Sequence, residues 1–134
     1  MNNLEKYRPY VLALLRITAA YMFILHGTAK FWEFPISMTG GNGPVGDSMM
    51  IVGGVIEIIG SILLILGLFT RPAAFVLSGQ MAFAYFFMHV AGKGNLLFPI
   101  ANGGELALLY SVIFLYFVFS GAGALSLDNR LYRK

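Results

Sequence analysis

Four long apolar segments dominate the chain, at residues 9–31, 49–69, 72–91 and 105–125, and short polar or glycine-rich stretches separate them. A bilayer's hydrocarbon core is about 30 Å thick, so a helix needs roughly 20 mostly apolar residues to cross it. Each segment reaches that length. The first holds Arg16 deep inside and Lys30 at its far end, the second holds Glu57, the third has no Asp, Glu, Lys or Arg, and the fourth opens on Glu105. Lipid offers no partners to backbone N–H and C=O groups, which makes helices the expected element. Runs such as Ile62-Leu63-Leu64-Ile65-Leu66 lack the alternation that barrel strands require. The pattern predicts an all-α integral membrane protein, a single domain over 1–134 folded as a four-transmembrane-helix up-down bundle.

The connections fit that plan. The stretch 32–48 contains Pro35, Pro44 and Thr39-Gly40-Gly41-Asn42-Gly43, and 92–104 contains Gly94-Asn95 and Pro99, all loop chemistry. Only Thr70 and Arg71 separate the second and third segments, with Pro72 next and suited to a first helical turn. A link so short makes those two helices antiparallel neighbours.

Composition excludes a soluble fold: 58% of the 134 residues are hydrophobic and 11% are charged. Lys6, Arg8, Arg71, Arg130, Arg133 and Lys134 fall on one side of the four spans, and only Lys30 and Lys93 on the other. The positive-inside bias then places both termini in the cytoplasm. The net charge of +3 reflects that signal and contact with membrane lipids, and requires no nucleic acid. The first segment is too long for a signal-peptide core and carries Arg16, so it reads as a retained span. With no cysteine, disulfide exchange and thiolate-held iron–sulfur clusters are excluded.

Ionisable residues within spans mark functional sites by default. At about 100° per residue, Arg16, Phe23, His26, Gly27 and Lys30 share one face of the first helix. Gly53, Glu57, Gly60, Leu64 and Gly67 form a stripe on the second, where Gly53, Gly60 and Gly67 permit close helix packing. On the third, Ser78, Ala82, Tyr85 and His89 share a face, and Gln80 lies nearly opposite His89. The candidate ligand- or proton-binding residues are His26, Lys30, Glu57, His89, Asn102 and Glu105, gathered toward the outer side in one polar pocket. Such a pocket suits a polar head group or proton exchange. The alternative is structural: Lys30 and Lys93 snorkel to head groups, Glu105 suits a helix dipole, and the histidines bond to neighbours. Arg16, Arg71 and Asp128 are the structural polar candidates, with Asp128 or a lipid phosphate as the partner of Arg16 because helical side chains tilt toward their own N-terminus.

Specific chemistries find little support. There is no Glu-x-x-His pair of the di-iron type, and His26 with His89 is a weak basis for haem. His26, Glu57, His89 and Glu105 are likewise a weak basis for a metal, and none is expected. No Gly-x-Ser-x-Gly, P-loop or dinucleotide fingerprint occurs, and no residue stands out as a catalytic nucleophile. One internal similarity is notable: Phe23-x-x-His26-x-x-x-Lys30 recurs as Phe86-x-x-His89-x-x-x-Lys93, each followed by Phe-Pro. It reads either as a duplicated hairpin, as in parallel-repeat transporters, or as coincidence between aromatic-rich helices.

Several local motifs resemble the DoxX family of small four-helix bacterial membrane proteins. They are Leu15-Arg16-Ile17, His26-Gly27-x-x-Lys30, Gly54-x-x-Glu57-x-x-Gly60 and Gly67-Leu68-Phe69-Thr70-Arg71-Pro72-Ala73-Ala74. Met81-Ala82-x-Ala84, His89, Asn102-Gly103-Gly104-Glu105 and Ser126-Leu127-Asp128 continue the match over nearly the whole chain. One departure is Gly121-Ala122-Gly123, where the family commonly has Gly-Pro-Gly. The resemblance implies a multi-pass protein of the bacterial inner membrane, associated with quinone-linked oxidoreduction or oxidative stress. On that reading the chain is an accessory subunit rather than an enzyme on its own, holding a quinone-like or lipid-like ligand beside a redox partner protein. The competing readings are a small-solute carrier or permeability protein, and a structural protein without ligand. Glycines facing lipid would serve a homo-oligomer.

Overall fold

A computed structural model describes residues 3–132, and among them every regular element is helical. Arg133 and Lys134, two of the basic residues counted above, lie outside the described residues. A short turn at Glu5–Tyr7 leads into α1 (Arg8–Trp32), which has Pro9 in its first turn and ends at Glu33 in a left-handed conformation. The α2 helix (Ser48–Leu66) starts where the Asp47 side chain accepts from the N–H groups of Met49 and Met50. It stops at Gly67, whose φ of 65° favours a residue without Cβ. The third long helix, α3, runs from Thr70 to Lys93 and widens to π geometry over Ala84–Val90. Then come a short α4 (Pro99–Asn102), α5 (Glu105–Ser120) and a terminal turn, α6 (Leu127–Leu131), capped by the Ser126 hydroxyl.

Three helical stretches, Glu5–Trp32, Ser48–Leu66 and Thr70–Lys93, are long and apolar enough to cross a membrane. The fourth apolar helix, α5, is shorter at 16 residues, or about 24 Å. It ends at Ser120 because Gly121 and Gly123 take φ values of 74° and 76°, and 121–126 continues as irregular chain beneath the bundle.

The helices pack as two hairpins, α1 along α2 and α3 along α5, with a less extensive α2–α3 seam. Their shared core joins Ala20 and Phe23 of α1, Leu64 of α2, Ala74 and Leu77 of α3, and Phe114 and Phe117 of α5. Small residues set the spacing. A Cβ on Gly27 would lie 3.1 Å from the Gly54 carbonyl oxygen and would run into Ile58, and one on Gly60 would run into Leu77. Tyr21, Phe75, Phe87 and Phe119 point outward and are exposed, as a lipid-facing surface requires.

Candidate functional site

The most deeply buried charges outside the bundle's terminal end meet between α1, α2 and α3. Lys30, near the end of α1, turns toward α2 and places Nζ 2.6 Å from Glu57 Oε1. Lys30 is 8% exposed and Glu57 2%. Glycine makes the approach feasible: the Lys30 stem crosses Gly54, and its ammonium lies beside Gly53. From α3, Gln80 Nε2 donates to the same Glu57 oxygen and to the Gly53 carbonyl, each at 3.2 Å. Two buried ions are costly to desolvate unless well paired and hydrogen-bonded, and these contacts meet part of that cost. They leave acceptors over. Among the described residues Glu57 Oε2, Gln80 Oε1 and the Ser61 hydroxyl are buried without a partner. Ser61 stands one turn beyond Glu57 on the same face of α2.

The other outer-side candidates do not join this centre. His89 lies in the π segment of α3 with Nδ1 3.3 Å from the Asn102 carbonyl oxygen. The Asn102 amide is engaged locally, donating to Asn95 O at 3.1 Å and to the Tyr85 hydroxyl at 3.4 Å, while its oxygen accepts from Gly104 N at 2.7 Å. Tyr85 in turn donates to Leu96 O at 2.7 Å. His89, Asn102 and Tyr85 therefore tie the 94–104 loop to α3. His26 is exposed and packs between the rings of Phe23 and Tyr110, and Glu105 is exposed in the first turn of α5. The single outer pocket expected from helical phase is thus divided: Lys30 and Glu57 meet, His89 and Asn102 meet, and His26 and Glu105 join neither pair. The two similar motifs also differ in setting, Lys30 being buried and paired and Lys93 exposed.

Gln80 was placed away from His89 by its phase, and it is; its role beside Glu57 was missed. The signal lay in the apolar third segment, where a lone amide on the helix next to α2 needs a buried polar partner.

At the opposite end Arg16, fully buried, uses all of its donors on carbonyl oxygens. Nε donates to Ala122 at 2.8 Å, Nη1 to Leu64 and Ile65 at 2.5 and 2.9 Å, and Nη2 to Ala124 and Leu125 at 3.1 and 2.9 Å. Arg16 thereby closes the C-terminal end of α2 and holds the 121–125 segment against it. The expected Asp128 partner is engaged elsewhere: its carboxylate accepts from the N–H groups of Phe69 and Thr70 at 2.8 and 2.9 Å, capping α3. Backbone carbonyls, abundant where a helix ends beside an irregular turn, outcompete it for the guanidinium. Arg71 donates to Val118 and Phe119 at the end of α5. Gly67 lies so close to Ser126 that a Cβ there would run into it.

In the 32–48 loop Glu33 Oε1 accepts from Ser37 Oγ at 2.7 Å and from Thr39 Oγ1 and Gly43 N at 3.2 Å. The Ser37 hydroxyl, helped by these other donors, holds the Glu33 carboxyl below its usual range. Among the described residues no three His, Asp or Glu side chains gather as a metal site.

Long apolar helices packed as hairpins, with an ion pair sealed between them, define a multi-pass helical membrane protein. The chain belongs to the DoxX family, whose model matches residues 11–90, a region containing Arg16, Lys30, Glu57, Gln80 and His89. An uncharacterized protein of Haemophilus influenzae is 81% identical over 134 residues, covering both chains completely. The inner membrane protein YphA of Escherichia coli is 28% identical over 147 residues, covering 97% of this chain and all of that one. No solved structure matches. The protein is accordingly a multi-pass inner-membrane protein of the DoxX family.

Proposed function

We propose that α1, α2, α3 and α5 all cross the inner membrane, up and down, as one domain with both termini cytoplasmic. In this membrane the chain is an accessory subunit, not an enzyme on its own, that holds a quinone-like or lipid-like molecule in support of a redox partner protein. The clustering of Arg8, Arg71 and Arg130 at the terminal end supports the orientation, and a short α5 is accommodated by local bilayer thinning.

The observation that carries the ligand reading is the set of unpartnered acceptors, Glu57 Oε2, Gln80 Oε1 and the Ser61 hydroxyl, beside a buried ion pair. Buried acceptors call for a donor. A quinol supplies two hydroxyl donors for these acceptors and an apolar tail suited to the bilayer, and its oxygens would in turn accept from the Lys30 ammonium. Lys30, Glu57, Gln80 and Ser61 are the residues that would hold it.

The experiment is gentle extraction from native membranes followed by mass spectrometry of co-purified small molecules. A quinone- or lipid-like species near one per chain, reduced severalfold in Glu57→Gln, supports the reading; a parent protein that carries none overturns it. The hairpin pairing of α1–α2 and α3–α5 across a lighter seam favours a second reading, a small-solute carrier whose two halves rock. Solute uptake into vesicles that is lost in Glu57→Gln, with no bound molecule in the parent, would select it.

A further inference from the structure

At the terminal end of the bundle a cleft of about 1020 Å³, lined by both charged and apolar residues, opens between the starts of α1 and α3 and the end of α5. It is separate from the Lys30–Glu57 centre. Its charged lining is balanced, with Arg8 and Arg71 against Glu5 and Asp128 in number, and Arg8 Nη1 lies 3.8 Å from Glu5 Oε2 in an exposed i,i+3 pair. Arg71 spends one nitrogen on the end of α5, and among the described residues its Nε and Nη2 make no hydrogen bond. Thr70 also lines the cleft; it is 1% exposed and its hydroxyl has no partner among the described residues.

An apolar groove of about 320 Å³ between α2 and α3 shares two walls with that cleft, Phe69 and Pro72. From there it climbs past Leu63, Gly60 and Ile59 to Val55. The distance from the end of α2 to Val55 is about 16 Å at 1.5 Å per residue, close to one leaflet of a hydrocarbon core about 30 Å thick. Gly60 deepens the groove by leaving out a side chain opposite Leu77.

We propose that cleft and groove together form a specific site for one zwitterionic glycerophospholipid whose head group bears a primary ammonium. The phosphate accepts from Arg8, the open edge of Arg71 and the Thr70 hydroxyl; the ammonium donates to the carboxylates of Glu5 and Asp128; one acyl chain fills the α2–α3 groove. An anionic head group without an ammonium brings only like charge to Glu5, which has Arg8 Nη1 at 3.8 Å, and to Asp128, whose oxygens accept from the N–H groups of Phe69 and Thr70. A choline head group has no N–H to donate. The Arg–phosphate contact is a charge-assisted hydrogen bond, and losing it is expected to weaken retention about tenfold.

The test is native mass spectrometry of the full chain, delipidated in detergent and mixed in turn with phosphatidylethanolamine, phosphatidylglycerol or phosphatidylcholine of identical acyl chains. One phosphatidylethanolamine per chain is expected, with retention of the other two about tenfold lower. Arg8→Gln, at an exposed position, tests the phosphate contact. Val76→Trp, at an exposed position lining the groove, tests the acyl chain. Arg8→Gln should lower retention about tenfold and Val76→Trp severalfold, while helix content by circular dichroism stays at the parent level. Equal retention of all three lipids, preference for phosphatidylglycerol, or indifference of both folded variants overturns the assignment.

Discussion

Replacing Lys30 by Met would strand the Glu57 carboxylate, which is 2% exposed, with only the Gln80 amide donating to it. Removing one partner of a buried ion pair costs about 3–5 kcal/mol, because the other charge stays buried and uncompensated. Glu57→Gln should cost less, about 2 kcal/mol, the loss of one charge-assisted hydrogen bond. Lys30 lies two residues from the end of α1 at Trp32 and can redirect its ammonium to the head groups, an escape that Glu57 at mid-helix lacks. In the double variant no charge remains to be stranded, so its cost should fall about 2–3 kcal/mol short of the sum of the single changes. The assay is reversible unfolding in mixed micelles with rising dodecyl sulfate fraction, followed by circular dichroism. Additive single effects, or a Glu57→Gln more damaging than Lys30→Met, would refute this account of the pair.

Arg16→Lys should destabilise by about 2–4 kcal/mol, since a three-donor ammonium cannot reproduce five guanidinium hydrogen bonds; hydrogen exchange should rise in 121–125 and leave the outer ends of α1 and α2 protected. Gly27→Val forces α1 and α2 apart and should cost about 1–3 kcal/mol in the same unfolding assay. Gly79→Ala, where nothing among the described residues lies within 4 Å of the new Cβ, should be neutral or stabilising by up to about 1 kcal/mol. Glu33 makes the 33–43 turn acid-sensitive. Its folded-state carboxyl titrates below the ordinary 4.5, so its stabilisation is complete above that value and disappears as pH falls through the lower one. Exchange at the Gly43 amide should accelerate in that acid range and become pH-insensitive, beyond its intrinsic rate, in Glu33→Gln.

The helical character and the long apolar helices were legible because hydropathy over roughly 20 residues is a strong signal. The site was legible only in part, for identifiable reasons. Helical phase brought Lys30 and Glu57 to facing sides of adjacent helices, and they meet. Depth alone placed His89 at the same level as that pair, whereas its face of the third helix, shared with Ser78 and Tyr85, turns to α5 and the 94–104 loop, where Ser78 donates to the Ser111 carbonyl and His89 meets the Asn102 carbonyl. The tilt of side chains toward the helix N-terminus correctly sent Arg16 away from Glu57. The expected partner of Arg16, Asp128 or a lipid phosphate, gives way to five carbonyls at a helix end and a glycine turn, which are the stronger acceptors. Phase set Gln80 apart from His89 but named no partner for it, because the relative height of α2 and α3 is what brings its amide to Glu57. Among the glycines, Gly53 and Gly60 stood out by spacing, while the tight contact between Gly27 and Gly54 requires the relative height of two helices, which one sequence does not encode locally.

The central claim, that the Lys30–Glu57–Gln80 centre holds the polar head of a membrane-dissolved ligand, is tested most directly by equilibrium binding of a short-chain quinol to the protein in nanodiscs. The parent should bind one quinol per chain. Gln80→Leu and Ser61→Ala, which keep the ion pair but remove groups that face the ligand, should each weaken binding about tenfold, the loss of one good hydrogen bond in a buried site. No saturable binding to the parent, or equal affinity in all three proteins, would contradict the claim.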